Sequence, residues 1–424
     1  MKTAVVLFTR DLRVHDNPAL AETVRAAERV VPLFVHDPAL PAGDNRRRFL
    51  AGCLADLRDA LRQRGGDLVE LRGDPVRETV RLAKAVDAAG IAVAADVSAY
   101  AQARERRLAA ACAEERIALK TFPGVTIVPP GALRPGGGGS HYRVFTPYYR
   151  AWQATSWRPV LAAPRRMALP DNMPKYHHES VSSGGESDGR KRLSSWLSKL
   201  EGYLQMHDDL AADGTSRLSP YLHFGCLSAR ELAARTRDRP GAEPFVRQLC
   251  WRDFYHQVLF AFPQLRRRAY RPGAEDSWRA EPDALEAWKA GQTGVPIVDA
   301  GMRQLLAEGW MHNRARLITA SYLTKHLGLD WRAGADHFFD LLVDGDVANN
   351  YGNWQWVAGT GNDTKPYRRF NPLRQAERFD PDGVYVRRYV PELADIPGKA
   401  VHEPWKLPSA ARLHYPAPLH IDVR

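Results

Sequence analysis

The sequence predicts an α/β N-terminal domain with a doubly wound parallel sheet, joined to an all-α C-terminal domain. Three observations carry that reading. Over the first 130 residues, short apolar, β-branched runs alternate with helical stretches, the pattern of successive β-α-β units. The pattern breaks at Pro129-Pro130-Gly131 and again at glycines 136–139 with Ser140, which is turn and linker chemistry. Beyond about residue 190 the periodicity is helical almost to the end, and nine of the 11 tryptophans lie there. The expected boundaries are an α/β domain over 1–131, a linker over 132–195 and a helical domain over 196–424.

Within the first domain, strands are expected at 4–8, 30–35, 68–71, 91–95 and 125–128, with helices at about 17–28, 45–64, 75–89 and 101–116. The turn after the first strand, Thr9-Arg10-Asp11-Leu12-Arg13, lacks the Gly-x-Gly-x-x-Gly of a standard dinucleotide site. The glycine run at 136–139 lacks the Gly-Lys-Ser/Thr that would make it a phosphate loop. A second polar stretch at 182–189 precedes the helical half, and His177-His178 before it lack further ligands at fixed spacing, so they read as solvated residues and no metal site is expected.

A chain of 424 residues, 44% hydrophobic and 26% charged, buries a large core, which excludes global disorder. No apolar run approaches the roughly 18–20 residues of a membrane span, and the opening apolar run is too short for a secretory leader. Four scattered cysteines make neither a zinc site nor a disulfide frame, so a soluble, reduced, cytoplasmic protein without membrane contact is expected. The net charge of +11 suits a polyanionic partner, although 49 Arg against 11 Lys in an Ala-rich chain is also what a GC-rich genome produces.

Four segments concentrate chemistry. On a helix, Gln248, Trp251, Arg252 and Tyr255 share one stripe, a mixture suited to a flat polar aromatic ligand rather than to a core. Asn313 and Arg316 share a helix face with Ala320, which leaves room above them, while Arg314 points elsewhere toward a possible phosphate. Residues 344–356 hold Asp344, Asp346, Asn349, Asn350, Trp354 and Trp356; no later Glu completes a calcium loop, and the two tryptophans face roughly opposite sides of a helix. Thr215-Ser216-Arg217-Leu218-Ser219 offers hydroxyls and backbone N–H groups at a helix start, an anion site or an ordinary cap.

Taken in this order, these segments resemble the DNA photolyase/cryptochrome family, and within it a class I cyclobutane-dimer photolyase. The likeness extends through Thr293-Gly294-Val295-Pro296, Trp310-Met311-His312-Asn313-Arg314, Trp354-Gln355-Trp356, Phe370-Asn371-Pro372 and His402-Glu403-Pro404-Trp405, and to the opening Phe8-Thr9-Arg10-Asp11-Leu12-Arg13. The resemblance implies an antenna domain followed by a helical FAD-binding catalytic domain. Tyr203, Thr215, Ser216, Arg217, Leu218 and Ser219 would hold the FAD phosphates and ribityl; Arg252, Asn313, Arg316, Asp344, Gly345, Asp346 and Asn350 would surround its rings. Asn350 would support the reduced, anionic flavin, and Trp354, Trp331 and Trp278 would carry electrons from the surface. Gln248, Trp251, Asn313, Trp356, Arg314 and Arg369 would meet the flipped lesion and the phosphates of UV-damaged DNA. The implied reaction is light-dependent splitting of cyclobutane pyrimidine dimers by excited reduced FAD; the protein is expected to be a monomer.

The sequence departs from the family pattern in two places. Gln248 stands where many dimer photolyases have Glu, as in (6-4) photolyases and animal cryptochromes, but the paired histidines of (6-4) chemistry are absent beside His312-Asn313. Ala103 and Arg104 replace the Asn-Glu of folate-binding members, which argues against a folate antenna and toward 8-hydroxy-5-deazaflavin or an empty site; four scattered cysteines also exclude the branch with an iron–sulfur cluster. The short chain beyond Trp405 and the amide at Asn350 favour a repair enzyme over a blue-light photoreceptor.

Overall fold

The computed structural model describes residues 2–40, 42–171, 173, 184–212, 214–274, 276–408 and 414–420. His177 and His178 lie outside the described residues. The chain divides into two compact units, one of residues 1–201 and 216–263, the other of residues 202–215 and 264–424.

The first unit is built on five parallel strands, β1 (Thr3–Phe8), β2 (Arg29–His36), β3 (Val69–Arg72), β4 (Gly90–Ala94) and β5 (Ala118–Phe122), in the order β3-β2-β1-β4-β5. Val5 on the central strand sits opposite Val31 on one side and Ile91 on the other. All six residues of β1 are buried, as a strand covered on both faces requires. Helices α1 (Pro18–Ala26), α2 (Asp44–Arg62), α3 (Pro75–Ala85) and α4 (Ala99–Glu114) cover the sheet. Asn17, Asp74 and Ser98 cap α1, α3 and α4, accepting from Leu20, Arg77 and Ala101 N–H, so a polar residue in each connection starts the helix that follows. The core joins Val5, Leu7, Val31, Leu33, Ile91 and Val93 to Val76, Val80, Leu108 and Cys112.

One expected strand is corrected. Residues 125–128 form no strand; the fifth strand is β5, upstream of them. The run is apolar because it is buried, and its backbone is satisfied by a side chain instead of a neighbouring strand: Ile127 and Val128 N–H both donate to Asp253 Oδ2 at 2.9 Å. The stretch read as a linker also contains α5 (Phe145–Ala154), whose Trp152 Nε1 donates to the same carboxylate oxygen at 3.0 Å.

Burial pushes the Asp253 carboxyl up to about 6, against the lowering pull of Arg252 and these three donors. A carboxyl raised on folding binds its proton more tightly in the native state, so this group's contribution to stability falls as pH rises from about 4 to about 6. The loss amounts to about 3 kcal/mol at most. Asp253→Asn keeps an oxygen for the three N–H groups but cannot titrate. Chemical denaturation at several pH values is expected to show a flatter slope between pH 4 and 6 in the variant; an unchanged slope would remove Asp253 as its source.

The first unit continues through α6 (Gly185–Leu197), then α8 (Ser219–His223), α9 (Ala229–Thr236) and α10 (Glu243–Ala261). The second holds α7 (Tyr203–Met206), α11 (Pro282–Ala290), α12 (Pro296–Glu308), α13 (Asn313–Ser321), α14 (Trp331–Leu341), α15 (Val347–Ala358), α16 (Pro372–Phe379) and α17 (Val384–Tyr389). After α13 the chain widens into one π-helical turn at Tyr322–His326. Among the described residues no helix is long and apolar enough to cross a membrane.

Candidate functional site

In the second unit, α13, α14 and α15 enclose a cleft lined by Asn313, Arg316, Ala320, Phe338, Asp344, Asn349, Asn350, Asn353 and Trp354. Four of the residues expected around a flavin therefore meet in one place. Asp330 and Asp346 fix the two helices that carry much of the wall: Asp330 accepts from Arg332 N–H, and Asp346 Oδ1 accepts from Asn349 N–H at 2.8 Å. Asp346 is thus a helix cap, and its second bond, from the Asn349 amide at 2.8 Å, orients a cleft residue.

Arg316 Nη2 reaches both oxygens of Asp344, at 3.1 and 2.9 Å, while its Nε donates to Met311 O at 2.9 Å. The Asp344 side chain is only 4% exposed. This pair holds a cation and an anion at the cleft wall in low-dielectric surroundings. Asn350 donates to Ala335 O at 2.8 Å, which pins its amide against α14. Gly345 is the link between Asp344 and the Asp346 cap.

Trp354 is buried, edge-on to Phe338 at 5.0 Å and to Trp288 at 5.9 Å. Gly334 makes that approach possible: a Cβ there would lie 2.3 Å from Trp354 Cη2. Trp356, two residues on, is half-buried elsewhere, with Phe370 at 6.3 Å and the Arg368 guanidinium 5.0 Å from its ring centre. Arg369 is exposed beside Arg368. Sequence reasoning passed over Arg368; the signal was an Arg-Arg pair two residues before Asn371, adjacent to a recognised position. Arg314 is engaged: its Nε and Nη2 pair with Asp208 at 3.2 and 2.6 Å, and its guanidinium lies 4.3 Å from the Phe379 ring.

Tyr203 begins α7, buried, with its ring 5.0 Å from His207. Along the connection to α8, the Thr215 hydroxyl is buried without a hydrogen-bond partner among the described residues. Ser216 Oγ accepts from Leu218 N–H at 3.3 Å, and Arg217 takes a left-handed backbone at φ 49°. Ser219 opens α8, which is five residues long.

In the first unit, α10 carries the predicted stripe. Gln248 is exposed, Trp251 and Arg252 half-buried and Tyr255 buried. Trp251 lies flat on Phe145, 3.7 Å between centres and 3° between planes, a contact that holds the half-buried indole rigidly. Arg252 donates to Val125 O at 2.6 Å. Among the described residues no three His, Cys, Asp or Glu side chains are grouped to hold a metal.

Residues 4–167 match the family model described as DNA photolyase, and residues 245–422 match the FAD binding domain of DNA photolyase. The deoxyribodipyrimidine photo-lyase of Streptomyces griseus is 51% identical, over 99% of this chain and 96% of its own length. Among solved structures, a bacterial class III photolyase from Agrobacterium tumefaciens superposes with a TM-score of 0.93 at 33% identity, covering 99% of this chain and 94% of that one. An archaeal photolyase from Sulfolobus tokodaii, solved with two FAD molecules, gives a TM-score of 0.86 at 30% identity over 99% and 96%.

Proposed function

The chain belongs to the DNA photolyase family, and we propose how its own residues serve the light-dependent repair of DNA. The reaction is the splitting of cyclobutane pyrimidine dimers. Bound FAD, in its reduced and anionic form, supplies the electron that opens the cyclobutane ring when excited by light. The residues present suit that group. The cleft of Asn313, Arg316, Asp344 and Asn350 offers a polar rim to a flat heterocycle, and the buried Thr215 hydroxyl, without a hydrogen-bond partner among the described residues, would be satisfied by a phosphate or ribityl oxygen.

In this reading Tyr203 and the 215–219 segment would hold the pyrophosphate side, and Arg252, Asn313, the Arg316–Asp344 pair, Gly345, Asp346 and Asn350 would be the residues that hold the rings. The Asn350 amide, held by Ala335 O, would set a fixed dipole beside the rings and favour their reduced, negatively charged form. Trp251 and Trp356 are the stacking surfaces for the extruded dimer, and Gln248 donates to a thymine carbonyl. Arg369 meets backbone phosphate, and Arg314 does so while remaining paired with Asp208. The single observation that carries the reading is the convergence of Arg316, Asp344, Asn350 and Trp354 on one cleft.

Two defined oligonucleotides test it, one with a cyclobutane thymine dimer and one with a (6-4) product, each given to the reduced holoprotein in blue light and in the dark. Light-dependent restoration of the dimer alone is expected. Repair of neither by flavin-loaded, reduced protein would favour a photoreceptor. Trp356→Ala is expected to weaken binding of dimer DNA by the roughly 1–3 kcal/mol of a base–aromatic stack, about a 5-fold to 150-fold rise in Kd. Equal binding by the variant would remove Trp356 from the lesion contact.

For a second chromophore we propose 8-hydroxy-5-deazaflavin rather than folate. Arg104, in place of the folate-binding carboxylate, is only 9% exposed; its Nη2 pairs loosely with Glu105 at 4.0 Å, but its Nε and Nη2 have no hydrogen-bond partner among the described residues, which favours an anionic ligand. Repair is proposed to be carried out by a cytoplasmic monomer, for which sedimentation would give a single species near 47.5 kDa.

A further inference from the structure

At the surface end of the tryptophan series, the structure ties two indoles to one ion pair. Trp278 Nε1 donates to Asp276 Oδ1 at 2.7 Å. The same carboxylate binds Arg332, whose Nη1 lies 3.1 Å from Oδ1 and whose Nη2 bonds Oδ2. Arg332 is anchored further by Asp330 at 3.1 Å and by Arg267 O at 2.8 Å, and its guanidinium carbon lies 4.7 Å from the centre of the Trp331 ring. Trp331 is fully buried; it lies near Asp276, but its own N–H reaches no acceptor in hydrogen-bond geometry among the described residues. The Asp276 side chain is 29% exposed.

We propose that Asp276 is the proton acceptor that traps the electron hole on Trp278, and that its ion pair with Arg332 directs the hole there from Trp331. This rests on the reading that FAD draws electrons through Trp354, Trp331 and Trp278. A cation over the face of Trp331 raises the cost of a positive charge on that ring, whereas a carboxylate bonded to the Trp278 N–H lowers it on the next. The field of one ion pair therefore falls in the outward direction.

The chemistry balances. An electron leaves the Trp278 ring and fills the hole on Trp331, which had given up an electron inward through Trp354, leaving an indole cation radical on Trp278. Its Nε1–H bond then breaks, the electron pair staying on nitrogen and the proton bonding to Asp276 Oδ1. The products are a neutral indolyl radical and a carboxylic acid, which passes the proton to water because Asp276 is part-exposed. A small thiol in solution later gives a hydrogen atom to the radical and restores Trp278. The buried N–H of Trp331 is near Asp276 but makes no aligned hydrogen bond to it among the described residues, so loss of its proton is slower than passing the hole on to Trp278.

Transient absorption after a light flash on the oxidised holoprotein distinguishes the cationic from the neutral indole radical. In Asp276→Asn, which keeps a hydrogen-bond acceptor but is not basic, formation of the neutral radical is expected to slow about a hundredfold and to become dependent on buffer concentration. The parent is expected to show neither buffer dependence nor a long-lived cation. A deprotonation rate in D276N equal to the parent's would overturn the proposal. Trp278→Phe tests the reading beneath it: loss of the long-lived radical with flavin content unchanged supports Trp278 as the terminal donor. A radical of parental yield in W278F would instead sink that reading, whatever D276N shows. Flavin absorption and melting temperature of both variants report whether the fold is kept.

Discussion

Trp354→Phe is expected to abolish light-driven reduction of the bound oxidised flavin. Trp354 is 3% exposed, lines the cleft through α15 and meets Phe338 and Trp288 edge-on. Phenylalanine fills most of that volume, so the packing loss is about 1–2 kcal/mol and the variant stays folded. What disappears is the oxidisable indole next to the cleft. Photoreduction under constant illumination is compared with repair after chemical reduction of the flavin, and the ratio of the two is expected to collapse. Parental photoreduction in the variant would mean that electrons enter by a route that avoids Trp354.

Arg316→Ala carries the second large effect, on both stability and flavin retention. It leaves the Asp344 carboxylate buried and unpaired, a change that costs about 3–5 kcal/mol for a fully buried pair. Because the Arg316 side chain is 26% exposed, water recovers part of that, and a loss of about 2–3 kcal/mol is expected. Purified R316A is expected to retain little FAD and to melt several degrees lower. Adding Asp344→Asn removes the stranded charge, so the double variant is expected to regain part of the stability without regaining the flavin. Additive losses would show that the two residues act independently.

Much of this was legible in the sequence because it depends on local rules. The alternation of β-branched runs with capped helices located β1 to β4 and their helices to within a few residues, since Asn17-Pro18 and Asp74-Pro75 are start signals that act through neighbouring N–H groups. Helical spacing alone put Asn313, Arg316 and Ala320 on one face, and all three line the cleft. The misread run at 125–128 shows the limit of such rules. An apolar β-branched segment is the same in sequence whether its backbone pairs with a strand or with a carboxylate 125 residues away.

The tertiary structure alone decided which long-range partners the charged residues take. Asp346 and Asp344 are near neighbours, yet one caps its own helix and the other waits for Arg316, 28 residues earlier. Arg314 is committed to Asp208, 106 residues away. Asp276 acquires a role only because the fold brings Arg332, 56 residues on, to the carboxylate that already holds Trp278. The sequence by itself determined the fold class, the helix starts and the residue types available for chemistry, because propensity, capping and periodicity act over one or two turns. Which charge meets which is set by packing between distant segments, where burial of a partnered ion is tolerated and burial of an unpartnered one is not.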